Sequence, residues 1–138
     1  MSKTDQKSIP AVSLKSLGDT APEFAMPVEI KRRDGALVAI AFTVKGLRKS
    51  EWAAHRDAYL KSIRVEAKPE DSEFSFAGLV SNGVNEAADL ILKAATGWDL
   101  EDAMDVKNIV ELEDILPSTI SATLNKIDGA LFQGRLGN

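Results

Sequence analysis

Cysteine is absent from the 138-residue chain, and histidine occurs once, at position 55. Without thiols there is no disulfide framework, no thiolate nucleophile and no cysteine-type metal site, and a reducing compartment such as the cytoplasm is permitted. His55 has no second histidine or cysteine with which to build a metal site or a nucleophilic pair. Lying on the Trp52–Tyr59 side of an expected helix, it reads as a packed or hydrogen-bonded residue. Long apolar runs are missing too. No window approaches the ~20 apolar residues that span a bilayer, and the opening MSKTDQKSIPAVSLKSLGD has no run of signal-peptide length. A chain neither secreted nor membrane-spanning is therefore expected.

The glycine patterns that cradle phosphates, G-x-x-x-x-G-K-[ST] and G-x-G-x-x-G, do not occur. The acidic cluster Asp99, Glu101, Asp102 and Asp105 lacks the central glycine and terminal glutamate of a calcium loop, and a helix-dipole role accounts for such carboxylates. Nothing marks a carboxylate pair for acid–base work. The expectation is no enzyme, no cofactor and no metal.

What the chain does have is apolar content, 44%, enough for one domain with a core that needs no covalent staples. It also has a divided charge. The net −4 hides a neutral stretch over residues 1–24, a block over residues 25–70 with ten Lys or Arg against six Asp or Glu, and an acidic remainder with four against twelve. Blocks of +4 and −8 suit self-association or partners of opposite charge, and equally two ordinary solvated faces.

Pattern along the chain predicts an α+β fold that is mainly α: an N-terminal β-hairpin followed by about four helices in a single domain. Residues 1–24 read as a flexible arm, residues 25–133 as the folded unit and residues 134–138 as a flexible tail. Asp34-Gly35 between two β-rich runs predicts a primed hairpin turn over residues 25–45. In the second run Val38, Ile40, Phe42 and Val44 alternate with smaller residues and should face the helices. Ser50 with Glu51 reads as the cap of a helix over residues 50–64, which Pro69 and its neighbours follow with a break. The stripe Phe76, Val80, Val84, Ala87, Ile91, Ala94 and Trp98 keeps its phase across Asn82-Gly83, predicting one helix over residues 74–96 capped by Gly97. Helices over residues 107–115 and 117–133 follow, the last starting at Pro117 and striped by Ile120, Leu124, Ile127 and Leu131. Trp52 and Trp98 either fill the core or anchor a partner. Lys31-Arg32-Arg33 at the hairpin tip could touch phosphate, but no aromatics interleave it as a base-stacking platform requires.

Gly97-Trp98-Asp99-Leu100 after a long helix, Leu112-Glu113-Asp114 before Pro117, a final amphipathic helix and the ending Gly134-Arg135-Leu136-Gly137-Asn138 resemble the tail assembly chaperones of long-tailed bacteriophages. The strand that runs into Glu51-Trp52 adds to the likeness, whereas the arm before Phe24 has no counterpart. The resemblance implies a non-enzymatic protein of the host cytoplasm, absent from the mature virion. It implies binding to the tape-measure protein, recruitment of tail-tube protein, and a homo-oligomer without nucleic acid or membrane. Partner-binding candidates are Trp52, Trp98, Asp99, Leu100, Arg135 and Leu136. Many such chaperones also have a longer product made by ribosomal slippage, and a slippery heptamer such as GGGAAAC can encode the end of Leu136-Gly137-Asn138. The competing readings are a nucleic-acid-associated regulatory or packaging accessory, or a small tail or head completion protein.

Overall fold

The computed structural model describes residues 13–18, 23–66 and 76–135. Its elements are α1 (Leu14–Gly18), β1 (Glu23–Lys31), β2 (Leu37–Lys45), α2 (Lys49–Glu66), α3 (Phe76–Ala94), β3 (Ala95–Trp98), α4 (Val106–Ile115) and α5 (Thr119–Gln133). The hairpin-then-helices order predicted from pattern is the one observed. β1 and β2 pair antiparallel in unbroken register from Glu23↔Lys45 to Lys31↔Leu37. Alternation does what it should: Met26, Val28, Ile30, Ile40, Phe42 and Val44 are buried on one face of the sheet. Pro27 lies on β1, an edge strand, where a residue without an N–H is tolerated and discourages further strands from adding.

The hairpin turn differs in detail from a two-residue primed turn. The Gly35 N–H donates to the Arg32 carbonyl at 3.0 Å and the Arg32 N–H to the Ala36 carbonyl at 2.8 Å, leaving Arg33, Asp34 and Gly35 as a three-residue loop. Gly35 supplies the positive φ, 91°, at the loop's last position. Asp34 Oδ1 accepts the Ala36 N–H at 3.0 Å and fixes the exit.

Helix boundaries also shift, by one or two residues at the end of α2 (Glu66) and the start of α4 (Val106) and with a local cause at three others. α2 starts ahead of Ser50, with Arg48 in the cap position. Its N–H donates to Glu51 Oε1 at 2.7 Å, and its carbonyl accepts the Trp52 N–H at 3.0 Å. The acidic residue three positions on, not the serine hydroxyl, satisfies the free donor. α3 is a single helix across Gly83, as the stripe predicts, but it ends at Ala94 rather than at residue 96. Gly97 is not a helix cap: Ala95–Trp98 forms β3, antiparallel to β2 through Phe42↔Trp98, Thr43↔Gly97 and Val44↔Ala95, with a bulge between Thr43 and Val44. The second edge of β2 offers free ladder groups, and β-branched Thr96 and aromatic Trp98 suit a strand. Finally, Pro117 is not in the last helix. Pro117 and Ser118 form the corner of a turn closed by the Thr119 N–H to the Leu116 carbonyl at 3.3 Å, and α5 begins after it.

The sheet order is β1-β2-β3. Ala87, Ala88, Leu90, Ile91 and Ala94 of α3, Ile109 of α4, and Ile120, Leu124 and Ile127 of α5 complete a core with the inner sheet face and Trp52 of α2. Of the arm expected over residues 1–24, Leu14–Gly18 is helical with Leu14 and Leu17 exposed, and Glu23 and Phe24 open β1. Residues 1–12 and 19–22, the break expected around Pro69, the first residues of the helix expected from residue 74, and residues 136–138 of the tail lie outside the described residues.

Candidate partner-binding groove

The sequence-predicted candidates separate into distinct surroundings. Trp52 is fully buried, with its indole Nε1 donating to Asp128 Oδ1 of α5 at 2.8 Å. Arg56, one turn on, donates through Nε to the same oxygen at 3.1 Å, pairs with the other carboxylate oxygen, and lies over the Trp52 ring. This cluster bolts α2 to α5. Burial plus a matched indole N–H is what keeps a tryptophan in an interior, so Trp52 presents no surface. His55 is half-buried and tilted against Trp52, with ring centroids 6.4 Å apart.

Trp98 is half-buried at the end of β3. Its ring meets Phe42 edge-on at 6.0 Å, and its Nε1 donates to the Asp102 carbonyl at 2.7 Å. The Ala41 N–H donates to Asp99 Oδ1 at 3.0 Å while the Asp99 N–H donates to the Ala41 carbonyl at 3.1 Å, which extends the β2–β3 ladder by a side chain. Leu100 is half-buried against the core. Asp105 caps α4, its Oδ1 accepting the Asn108 N–H at 2.8 Å. Two of the four acids, Asp99 and Asp105, thus anchor a strand end and a helix start, and no group of three or more His, Cys, Asp or Glu among the described residues could hold a metal ion. Arg135 is exposed beyond α5, where left-handed Gly134 (φ 70°) ends the helix, and Leu136 lies outside the described residues. Trp98, Asp99 and Leu100 are neighbours; Trp52 and Arg135 stand apart from them.

A different region carries exposed apolar surface. The apolar stripe of α3 outruns the core: Ala87, Ile91 and Ala94 are buried, Val84 is half-buried, and Val80 is 59% exposed. On α4, Ile109 is buried but Ile115 is 69% exposed. These residues border a cleft in two lobes. One, of about 830 Å³, lies between the hairpin tip and the α4–α5 turn, walled by Lys31, Arg33, Val38, Leu112, Ile115 and Pro117. The other, of about 550 Å³, lies between α3 and α4, walled by Val80, Val84, Val110, Glu111, Asp114 and Pro117. Arg33 and Pro117 line both, so the two lobes adjoin across these side chains and are taken together as a groove.

Its charges are uncommitted. Arg32 pairs with Asp34 at 3.1 Å, but Lys31, Arg33, Glu111 and Asp114 hold no ion pair or side-chain hydrogen bond among the described residues. Glu113, between the two acids, is occupied: its carboxylate accepts the Ser118 N–H at 3.0 Å and the Ile120 N–H at 2.8 Å, capping α5. Sequence pattern carried part of this groove, since Val80 and Val84 belong to the α3 stripe. It gave no sign of Ile115, which lies off the α4 stripe.

No helix among the described residues is long and apolar enough to cross a membrane. A family model described as phage tail assembly chaperone matches residues 12–138. No curated protein and no solved structure matches this chain.

Proposed function

Because the chain belongs to the phage tail assembly chaperones, we propose that it binds the tape-measure protein in the host cytoplasm, keeps that long helical chain soluble, recruits tail-tube subunits around it, and is left out of the finished virion. The family's role is a non-enzymatic one, and this reading needs no cofactor, nucleic acid or membrane. The observation that supports it best is the groove. Val80 and Ile115 are exposed in a concave region that Val38, Val84, Val110 and Leu112 also line, as a surface that shields client helices requires.

Trp98, Asp99 and Leu100, adjacent at the end of β3, and exposed Arg135 belong to the same reading as a second contact region for tube subunits. Self-association through the +4 and −8 blocks also belongs to it. If charge drives the assembly, sedimentation above ~0.5 M salt should show it shrinking, because the screening length there falls to a few ångströms. A longer product made by slippage at the codons for Leu136-Gly137-Asn138 is a further part, and the nucleotide sequence of those codons tests it. The reading as a whole is tested by co-producing the chain with the tail proteins. Tape-measure protein should stay soluble and co-purify with it, and recovery of neither tape-measure nor tube protein would overturn the assignment.

A further inference from the structure

The chaperone reading names a client but no place on the chain where it sits. From the groove we infer that the bound segment is a single amphipathic helix, apolar along one side, acidic at the end beside Lys31 and Arg33 and basic at the end beside Glu111 and Asp114. The inference rests on the chaperone reading for the existence of a client. The shape and chemistry of the occupant follow from the groove.

Its walls offer little backbone pairing. Apart from their end turns, α3 and α4 satisfy their own backbone groups as helices, and at the hairpin end the Lys31↔Leu37 pairing and the Arg32–Ala36 bond close the ladder between β1 and β2. The open edge of β1 is interrupted by Pro27, which discourages an added strand, so an entering segment does best to bring its own hydrogen bonds with it, and a helix does so. Both lobes contribute apolar side chains, Leu112 and Ile115 in one and Val80 and Val84 in the other, among polar ones. The groove therefore takes a stripe of side chains at three- and four-residue spacing. A second copy of this chain fits less well, because two concave clefts set face to face leave each other unfilled. The uncommitted charges then set polarity. Lys31 borders only the hairpin-side lobe and Glu111 and Asp114 only the α3–α4 lobe, while Arg33 lies between them, so the uncommitted charge is positive in the first lobe and net negative in the second. A helix with opposite charges at its two ends satisfies both, whereas one of a single sign satisfies one lobe and opposes the other.

Three labelled helical peptides with the same leucine stripe test this on the full-length chain: one with glutamates at one end and lysines at the other, one all-lysine and one all-glutamate. The wild-type chain should bind the mixed peptide about fivefold more tightly than either single-sign peptide. Ile115→Asp and Val80→Asp, at exposed positions that leave the fold intact, should each weaken it at least about tenfold. The double variant Lys31→Glu, Arg33→Glu should shift preference to the all-lysine peptide. Equal binding by wild type and both groove variants would overturn the inference, as would equal affinity for the three peptides or no binding to any. So would a wild-type dimer that Ile115→Asp converts to monomer, since a second copy would then own the groove. Co-production with tape-measure protein separates this from the underlying reading. A client kept soluble by wild type and by Ile115→Asp alike defeats the groove and spares the chaperone. A client that even wild type fails to hold defeats the chaperone reading itself.

Discussion

The two flanks of this molecule use the same residue types to opposite ends. Where α2 meets α5, an aromatic side chain is fully buried, its single polar atom is matched, and the charges beside it pair with each other: Trp52, Asp128 and Arg56 leave nothing over. Where α3 and α4 meet the hairpin tip, valine and isoleucine remain in solvent and Lys31, Arg33, Glu111 and Asp114 stay uncommitted. Burial with matched polar groups stabilises one chain. Exposed apolar surface ringed by free charge contributes nothing to that chain's folding and is available to another. The flank that holds the fold together and the flank that suits a client are thus physically separate, and substitutions should tell them apart.

The largest expected effect is on the closed flank. Trp52→Ala removes a fully buried side chain and should cost about 3–5 kcal/mol, or roughly 10–20 °C in Tm. It also strips Asp128 of its indole donor. A Tm lowered by only a few degrees would mean that this flank is not the structural one.

The comparison is sharpest within a single helix. Ile109 and Ile115 both lie on α4, one buried at 2% and the other 69% exposed. Ile109→Ala should cost about 2–4 kcal/mol by leaving a cavity, whereas Ile115→Ala should stay within about 0.5 kcal/mol. Denaturant melts of the two variants measure the contrast directly. Similar losses would place Ile115 in the core and remove the groove's chief apolar contact.

How much of this was legible in the sequence depends on the range of the interaction. The alternating run of β2, the α3 stripe across Gly83 and the α5 stripe are local periodicities, and each formed its element where pattern placed it, though α3 stops at Ala94, short of the stripe's Trp98, and α5 starts two residues late. β3 was not legible, because a four-residue strand carries no period of its own and exists only through the free edge of β2, distant in sequence. Trp52 could be placed on a helix face by spacing, but its partner Asp128 lies on a different helix and no spacing links them. Asp99, which the sequence offers as a helix-dipole carboxylate or a partner contact, is a ladder group for Ala41. The groove was half legible. The α3 stripe with Val80 and Val84 is in the sequence, but the approach of the hairpin tip that turns it into a cleft is tertiary.

A middle-sized effect is expected at the seam between the flanks. Glu113 belongs to the groove's acidic wall by sequence and to the fold by its bonds, accepting both the Ser118 and Ile120 N–H groups at the start of α5. Glu113→Ala should cost about 1–2 kcal/mol, the range for losing a helix N-cap. Asp114→Ala, one residue on and without such bonds, should cost almost nothing. Equal losses would show that Glu113 is simply another solvated charge.

The smallest effect has the opposite sign and sits one bond from the last. Ser118 adopts φ 86° and ψ −2°, left-handed, at the corner behind Pro117, and its side chain makes no capping bond. A proline followed by a left-handed residue is the arrangement of a type II turn, which ordinarily puts glycine at this second corner. Holding a residue with a Cβ there costs about 1–2 kcal/mol. Glycine would remove that strain while giving back roughly 0.5–1 kcal/mol through the greater freedom of the unfolded chain. Ser118→Gly should therefore stabilise by about 0.5 kcal/mol, raising Tm by a degree or two, and it should do so without Glu113 losing either backbone donor. Ser118→Ala, which keeps the Cβ and loses only an uncommitted hydroxyl, should leave Tm unchanged. If the glycine variant instead melts lower, the left-handed corner is held without strain by the Glu113 carboxylate, and the seam belongs wholly to the structural flank.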